Sequence, residues 1–472
     1  MKMRMRLKIS CRPVATPAVA LALALSATVG LWPAPAAAQI PVPPGAALPA
    51  PAPTAAPASR PTPPTTPVNG TEASPSAPTA APAPGAGPSV ELPPERDMPS
   101  TALPRETPIE TPLGGEPALT GTAVGGYGEL TLNAPANGPA VVDLRRFVLF
   151  VGHNFSDRLR FYSEVEVEHA VSSADDQGEV EIEQAYLDGL FNRSFNLRAG
   201  LILMPVGIIN VYHEPPTFNG VDRPEVDTLV IPSTWREPGF GIFGELATGV
   251  SYQLYFINGM NANGFTAETA VADGHQEAQL AAARDFGAVG RLSYEPMLAT
   301  ILGVSGYYAT SGNSLRATVG SVPVSLWEID ARTRIRGFTA RAEFAMLFIG
   351  DTAALNTALA ASPEPPSLPV AKRSQGGYLE AGYDLLRLLA PSTDQSLTLF
   401  ARFDYVDTQA SIAQASLDAG FAADKSFVRT IATAGLVYRP IPQIAVKGDY
   451  RRHELGAGPG YNELAAGLGW MF

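Results

Sequence analysis

Apolar and polar residues alternate one for one along most of the chain beyond residue 119. In 158–168, Leu159, Phe161, Val165 and Val167 share a face, with Ser163 the exception, while Arg158, Arg160, Tyr162, Glu164, Glu166 and Glu168 share the other. In 337–348, Phe338, Ala340, Ala342, Phe344, Met346 and Phe348 alternate with Thr339, Arg341 and Glu343; Leu397, Leu399, Ala401, Phe403 and Tyr405 do the same against Ser396, Thr398, Arg402 and Asp404. A period of two is that of a strand with two unlike faces, and the three-and-four spacing of a helix does not fit these runs.

Sixteen such segments are predicted, near 121–132, 142–153, 158–169, 179–191, 195–204, 238–246, 249–258, 286–295, 300–310, 321–334, 337–349, 375–388, 396–407, 427–439, 443–453 and 461–472. They are longer than the five or six residues usual in soluble sheets and have the length a tilted strand needs to cross a bilayer. Short links (154–157, 192–194, 247–248, 296–299, 336, 440–442) interleave with long ones (170–178, 205–237, 259–285, 350–374, 408–426). Short turns at one end and long loops at the other predict an all-β, transmembrane antiparallel β-barrel of about sixteen strands. A soluble sandwich also alternates, but one of sixteen strands would be very large.

The chain end sharpens this. Leu464, Ala466, Leu468, Trp470 and Phe472 share one face of the last segment, and Phe472 is the final residue. An alternating terminal strand closed by an aromatic is what the outer-membrane barrel assembly machinery reads, so Trp470 and Phe472 are assigned as the assembly signal. Tyr252, Tyr255, Tyr307, Tyr308, Tyr378, Tyr438 and Trp470, near segment ends, are expected in the aromatic girdles.

Ahead of the alternating body stand two other texts. Residues 1–38 read as a signal peptide: a basic start, an apolar core from Pro17 to Leu31, and Ala36-Ala37-Ala38 before Gln39. Residues 39–118 read as a disordered Pro/Ala-rich periplasmic linker, because 23 of the 45 Pro fall in 40–118 and large apolar side chains are few. The barrel domain is assigned to 119–472. The lone Cys, Cys11, lies in the leader, which excludes a disulfide scaffold, a thiolate zinc site and a Cys nucleophile in the mature chain. Residues 119–472 hold 25 Lys and Arg against 38 Asp and Glu, and a net −13 argues against a nucleic-acid partner.

The stretch 124–169 and the run 198–245, with Pro205-Val206-Gly207 and Trp235-Arg236-Glu237-Pro238-Gly239, resemble the phosphate-selective porin O and P family. The resemblance implies a sixteen-stranded, trimeric outer-membrane pore. Phosphate selectivity in that family relies on Arg along the pore and clustered Lys in the loops, whereas this body has only Lys372, Lys425 and Lys447.

A barrel of this size has a lumen wide enough for water, and selectivity then rests on charged rings and on any loop folded inward. The expected constriction is the link 205–237, with Glu214, Asp222, Glu225, Asp227 and Glu237 against Arg223 and Arg236. Wall candidates, from alternation, are Arg160, Arg198, Arg291, Arg341, Arg402, Lys447 and Arg451, with Glu164, Glu166, Glu343, Asp404 and Asp449 as acidic neighbours. The loop count predicts weak cation preference or near-neutral selectivity. No catalytic set, cofactor or metal is expected: His153, His169, His213, His275 and His453 are scattered without ligand spacing, and Gly303-Val304-Ser305-Gly306 is no nucleophile elbow. The chain is therefore read as an exported diffusion channel for small hydrophilic solutes or ions, anions such as phosphate among them, and not as an enzyme. Its expected partners are outer-membrane lipid, the assembly machinery and two further copies. The alternative is a structural or adhesion barrel tethered through the Pro-rich tract, and ion conductance separates the two.

Overall fold

The computed structural model describes residues 121–173, 177–363 and 365–472. The signal peptide and the Pro/Ala-rich linker lie outside the described residues. Sixteen strands follow one another: β1 Gly121–Pro135, β2 Val141–Asn154, β3 Leu159–Glu168, β4 Val180–Asn192, β5 Phe195–Leu203, β6 Arg236–Ala247, β7 Val250–Asn258, β8 Phe286–Met297, β9 Thr300–Thr310, β10 Pro323–Ile335, β11 Phe338–Ile349, β12 Arg373–Asp384, β13 Ser396–Ser411, β14 Val428–Ile441, β15 Ile444–Leu455 and β16 Tyr461–Met471. Each pairs antiparallel with the next, and β1 pairs with β16, so the sheet closes on itself. At the seam Tyr127 stands opposite Met471, the Gly126 amide donates to the Phe472 carbonyl at 3.0 Å, and the Phe472 amide donates back at 2.8 Å. Closure leaves no strand edge unpaired, the condition for strands to cross a membrane.

The faces are inverted relative to a soluble sheet. On β10, Trp327 and Ile329 are each 60% exposed, while Glu328 between them is 1% exposed. The outward residues are Leu, Val, Phe and Ile on nearly every strand; the inward ones include Glu129, Arg146, Glu164, Asp330, Arg402 and Asp449, all buried. An apolar belt outside and a polar wall inside is the pattern of a lipid-embedded barrel. Among the described residues no helix is long and apolar enough to cross a membrane.

Three sequence expectations are corrected. The segment drawn as 375–388 stops at Asp384, whose Oδ1 accepts from the amides of Leu386 (3.1 Å) and Leu397 (3.0 Å) and turns the chain into a short helix, Leu386–Leu389. Arg236 and Glu237 begin β6 rather than ending a loop. Tyr255, Tyr307 and Tyr378 point into the barrel and are buried there, while Tyr308 and Tyr438 face outward. The inward tyrosines belong to an apolar cluster with Met204, Ile208, Ile231, Trp235, Phe265 and Leu347, which packs loop residues onto the inner wall.

Candidate functional site

The chain between β5 and β6, residues 204–235, folds into the barrel. Its base is pinned where the Met204 amide meets the Trp235 carbonyl at 3.0 Å. Asn210 ties both flanks: Nδ2 donates to the carbonyls of Met204 (2.8 Å) and Trp235 (3.0 Å), and Oδ1 accepts from the Trp235 amide at 2.7 Å. Pro205 and Gly207 make the inward bend. Gly207 has φ +74°, and a Cβ there would stand 2.4 Å from Glu343 Oε1. Only glycine meets both conditions. The bend aims two amides at wall carboxylates: Gly207 donates to Glu328 Oε2 at 3.3 Å and Ile208 to Glu343 Oε2 at 3.2 Å.

Beyond the bend the loop crosses to the far wall. Its carbonyls meet cations: Arg439 Nη2 donates to Pro216 O (3.1 Å), Arg341 to Thr217 O, Lys447 Nζ to Gly220 O (2.8 Å), and Arg402 Nη1 to Asp222 O (3.2 Å). Lys447 Nζ also lies 3.7 Å above the Phe218 ring. One amide answers in the other sense, Val221 to Asp449 Oδ2 at 2.7 Å. Asp222 is the anchor. Its carboxylate pairs with Arg145 Nη1 (2.5 Å) and with Arg451, and it accepts from Asn133 Nδ2 (2.7 Å). Burial opposes its ionisation, but Arg451 and Arg145 outweigh it and hold the carboxyl well below the ordinary range.

The other loop acids differ in how their charge is met. Glu225 pairs with Arg429 at 3.3 Å. Asp227 is fully buried, and neither carboxylate oxygen has a hydrogen-bond partner among the described residues. Burial pushes its carboxyl up, against Arg223 and Arg402. Glu214 opens the short turn Pro215–Thr217 and accepts the Thr217 amide on its carbonyl at 2.9 Å. Arg223 is partly buried with Nη1 3.4 Å from Thr234 Oγ1. Arg236 pairs with Glu181 and Glu277, and Glu237 Oε1 accepts from the Gln276 amide at 3.4 Å. Of the five acids, Asp222 and Glu225 are paired with arginines, and Asp227 and Glu237 are buried.

The wall residues read from alternation all face inward. Arg198 forks onto Asp188 (2.8 and 3.0 Å) and stacks on Tyr186. Arg291 reaches Ser305 (3.0 Å), Asp330 (2.5 Å) and the Gly207 carbonyl (3.3 Å). Arg402 holds Asp404 at 2.8 Å and Arg451 holds Asp449 at 2.8 Å. Arg160 stands apart from the loop, opposite Asp188 in the β3–β4 register. Trp470 and Phe472 sit at the seam, Phe472 53% exposed on the outer side.

Sequence reasoning missed Arg145 and Arg439. Arg145 follows from a bulge: Glu129 opposes Arg146 and Thr131 opposes Asp143, so β2 carries one extra residue and strict alternation fails there. Arg439 sits at the end of an alternating run beside a short turn, where sequence gives little sign of its partner. Arg332, over the Tyr212 ring at 4.6 Å, and Arg334 complete the basic side near the short-turn end.

No family model matches the chain. A protein of Aquifex aeolicus (strain VF5), bearing only the words "uncharacterized protein", is 34% identical over 360 residues, 75% of this chain and 80% of the relative. Among solved structures, Salmonella typhi OmpF in complex with daunomycin superposes with TM-score 0.52 at 12% identity, over 75% of this chain and 98% of that one. The outer-membrane channel DcaP of Acinetobacter baumannii has TM-score 0.47 at 12% identity, over 76% of this chain and 99% of that one. The closed sixteen-strand sheet and the superposition on OmpF give the fold of the outer-membrane porin barrels.

Proposed function

This chain belongs to one family with the Aquifex aeolicus protein, and we propose from that premise and from its barrel that it is a bacterial outer-membrane diffusion channel for small hydrophilic solutes, with a preference for anions. The observation that carries the reading is the inward loop. It narrows the lumen, and on its short-turn side Arg341, Arg439 and Lys447 spend their hydrogen bonds on loop carbonyls. Glu380 stands opposite Arg341 in register and is bonded to the neutral Asn219 at 2.9 Å, so it keeps its charge, and the three cations stand against this one acid. Cations held by dipoles rather than by carboxylates keep their field, and a positive constriction raises the local concentration of anions. Phosphate, implied by the resemblance to the O and P family, is one such anion. Threefold assembly belongs to the same reading.

The test is a planar bilayer with the purified full-length protein. A water-filled channel gives steady ohmic conductance, and a salt gradient gives a reversal potential of anion sign. Replacing Arg341, Arg439 and Lys447 together by Gln moves that potential toward cations. A bilayer that stays silent at protein doses giving well-inserted barrels refutes the channel, and an unchanged reversal potential in the triple variant refutes the basic constriction.

A further inference from the structure

His213 hangs from the inward loop against the wall formed by β1, β3 and β4. Its Nε2 stands 2.7 Å from Tyr127 Oη and 3.6 Å from Glu183 Oε1. His213, Glu164 and Glu183 each offer one donor atom, and these atoms lie within 4.8 Å of one another. All three side chains are buried, Glu183 completely. The other ring nitrogen, Nδ1, is 3.2 Å from the Asn210 carbonyl. A carbonyl can only accept, so in the neutral ring Nδ1 carries the proton and Nε2 turns its lone pair to the carboxylates. Asn210 is itself fixed by its bonds to Met204 and Trp235. A backbone carbonyl that sets the tautomer is the usual support of a metal-binding imidazole.

Glu183 is there because of a bulge. The β3–β4 register slips between Glu164↔Gln184 and Val165↔Ile182, so β4 carries an extra residue and Glu183 and Gln184 both turn inward. Glu183 Oε2 lies 3.0 Å from Tyr127 Oη, whose single proton it shares as a target with His213 Nε2, and Oε1 has no hydrogen-bond partner among the described residues. Glu164 accepts from Gln184 Nε2 (2.7 Å) and Tyr162 Oη (2.5 Å). The facing cation, Arg146, is spent on Glu129 (3.0 Å) and Glu166 (3.4 Å). Arg223 lies close by but makes its side-chain hydrogen bond to Thr234, so His213 is the cationic group in direct contact with Glu183, and buried charges persist only when paired or when they coordinate a metal.

We propose that His213, Glu164 and Glu183 bind one divalent cation of the zinc class, with Tyr127 Oη beside the fourth position. One imidazole and two carboxylates are a donor set for zinc and its neighbours. Hard cations such as calcium take six to eight oxygens, more than this group offers. Zinc–ligand bonds of about 2.0–2.1 Å in a tetrahedron set donor atoms about 3.3 Å apart, close to the 3.6 Å between His213 and Glu183. A dication cancels the two carboxylates and fastens the loop to β3 and β4. The competing occupant is a proton, shared between Glu166 and Glu183 beside a charged His213.

The folded full-length protein, cleared of metal by a chelator, is titrated with Zn²⁺ and Co²⁺. One cation per chain binds saturably, and Co²⁺ develops visible bands of low coordination number. His213→Gln and Glu183→Gln each weaken binding by about 100-fold or more, while Asp394→Asn on an exposed turn leaves it unchanged. Zinc-edge absorption on the unmutated protein, reading one imidazole among oxygen ligands, decides the case where a variant fails to form a heat-modifiable barrel. Absence of saturable binding, an edge without imidazole, or full affinity in both variants overturns the site. None of these readouts depends on conduction, so they stand or fall apart from the channel reading.

Discussion

Replacing Asp222 by Ala tests what holds the loop inside the barrel. The side chain is 26% exposed and ties the loop to Arg145, 25% exposed, and to Arg451, 5% exposed. Removing one member of a buried pair costs about 3–5 kcal/mol, because the remaining charge is stranded, whereas an exposed pair is worth about 0–1 kcal/mol. Arg451 keeps Asp449 and Glu463 after the change, and Asp222 is a quarter exposed, so the lower end, about 3 kcal/mol, applies. At about 1.4 kcal/mol per decade, the unseated loop becomes about 100-fold more populated. A Glu-specific protease cleaving after Glu225 reads that population when reseating outpaces cleavage. Cleavage about 100-fold faster than in the parent is expected, together with flicker in single-channel records. A rate within about threefold of the parent would refute the anchor. The pH dependence has a definite sign. A carboxyl held below its unfolded value near 3.9 stabilises the seat fully above that value and stops doing so as pH falls through the depressed one. The parent loop therefore stays seated at pH 4 and is released only in stronger acid.

Gly207→Ala forces a side chain into positive φ and toward Glu343 Oε1; a loss of about 1–2 kcal/mol is expected, read as a lower thermal midpoint in detergent, and an unchanged midpoint would show the bend to be tolerant. Asp227→Asn removes a buried carboxylate that lacks a partner, so the protein gains stability. Because the folded pKa is raised, the parent's penalty is absent below about pH 4 and grows as pH rises toward that raised value; a gain no larger at pH 8 than at pH 5 would contradict this. Deleting Phe472 removes both backbone bonds to Gly126 and the end of the outward row, and outer-membrane levels of the heat-modifiable form are expected to collapse; normal levels would sink the seam's role in assembly.

Much of the barrel was legible because a strand with one lipid face and one water face writes its period directly into the sequence. All sixteen strands, and the inward direction of Arg160, Arg198, Arg291, Arg341, Arg402, Lys447 and Arg451, follow from alternation. What alternation cannot register is a bulge, and the two that matter bring in Arg145 and Glu183. Nor does it tell which inward tyrosines meet apolar loop residues: Tyr255, Tyr307 and Tyr378 look like girdle residues until Trp235 and Met204 are packed against that wall. Formal charge is silent on pairing for a related reason. Asp222 and Glu225 find their arginines on β2, β14 and β15, far away in sequence, and a tally has no access to pairing. The His213 group escaped spacing rules because its ligands come from one loop and two strands.

The crossing loop also has a mechanical meaning. Strands joined only edge to edge form a hoop, and a hoop ovalises easily when squeezed from the side. This hoop carries a strut: the loop leaves β5 and is bolted to Arg402 of β13, eight strands away on a ring of sixteen, with further fixings on β11, β14 and β15. Flattening the ring along that diameter compresses the strut, and stretching it pulls on the ion pairs at Asp222. Lateral pressure from the surrounding lipid is thus opposed by a brace across the opening as well as by the wall. The aperture should keep its shape in bilayers of differing thickness for as long as those few bonds hold.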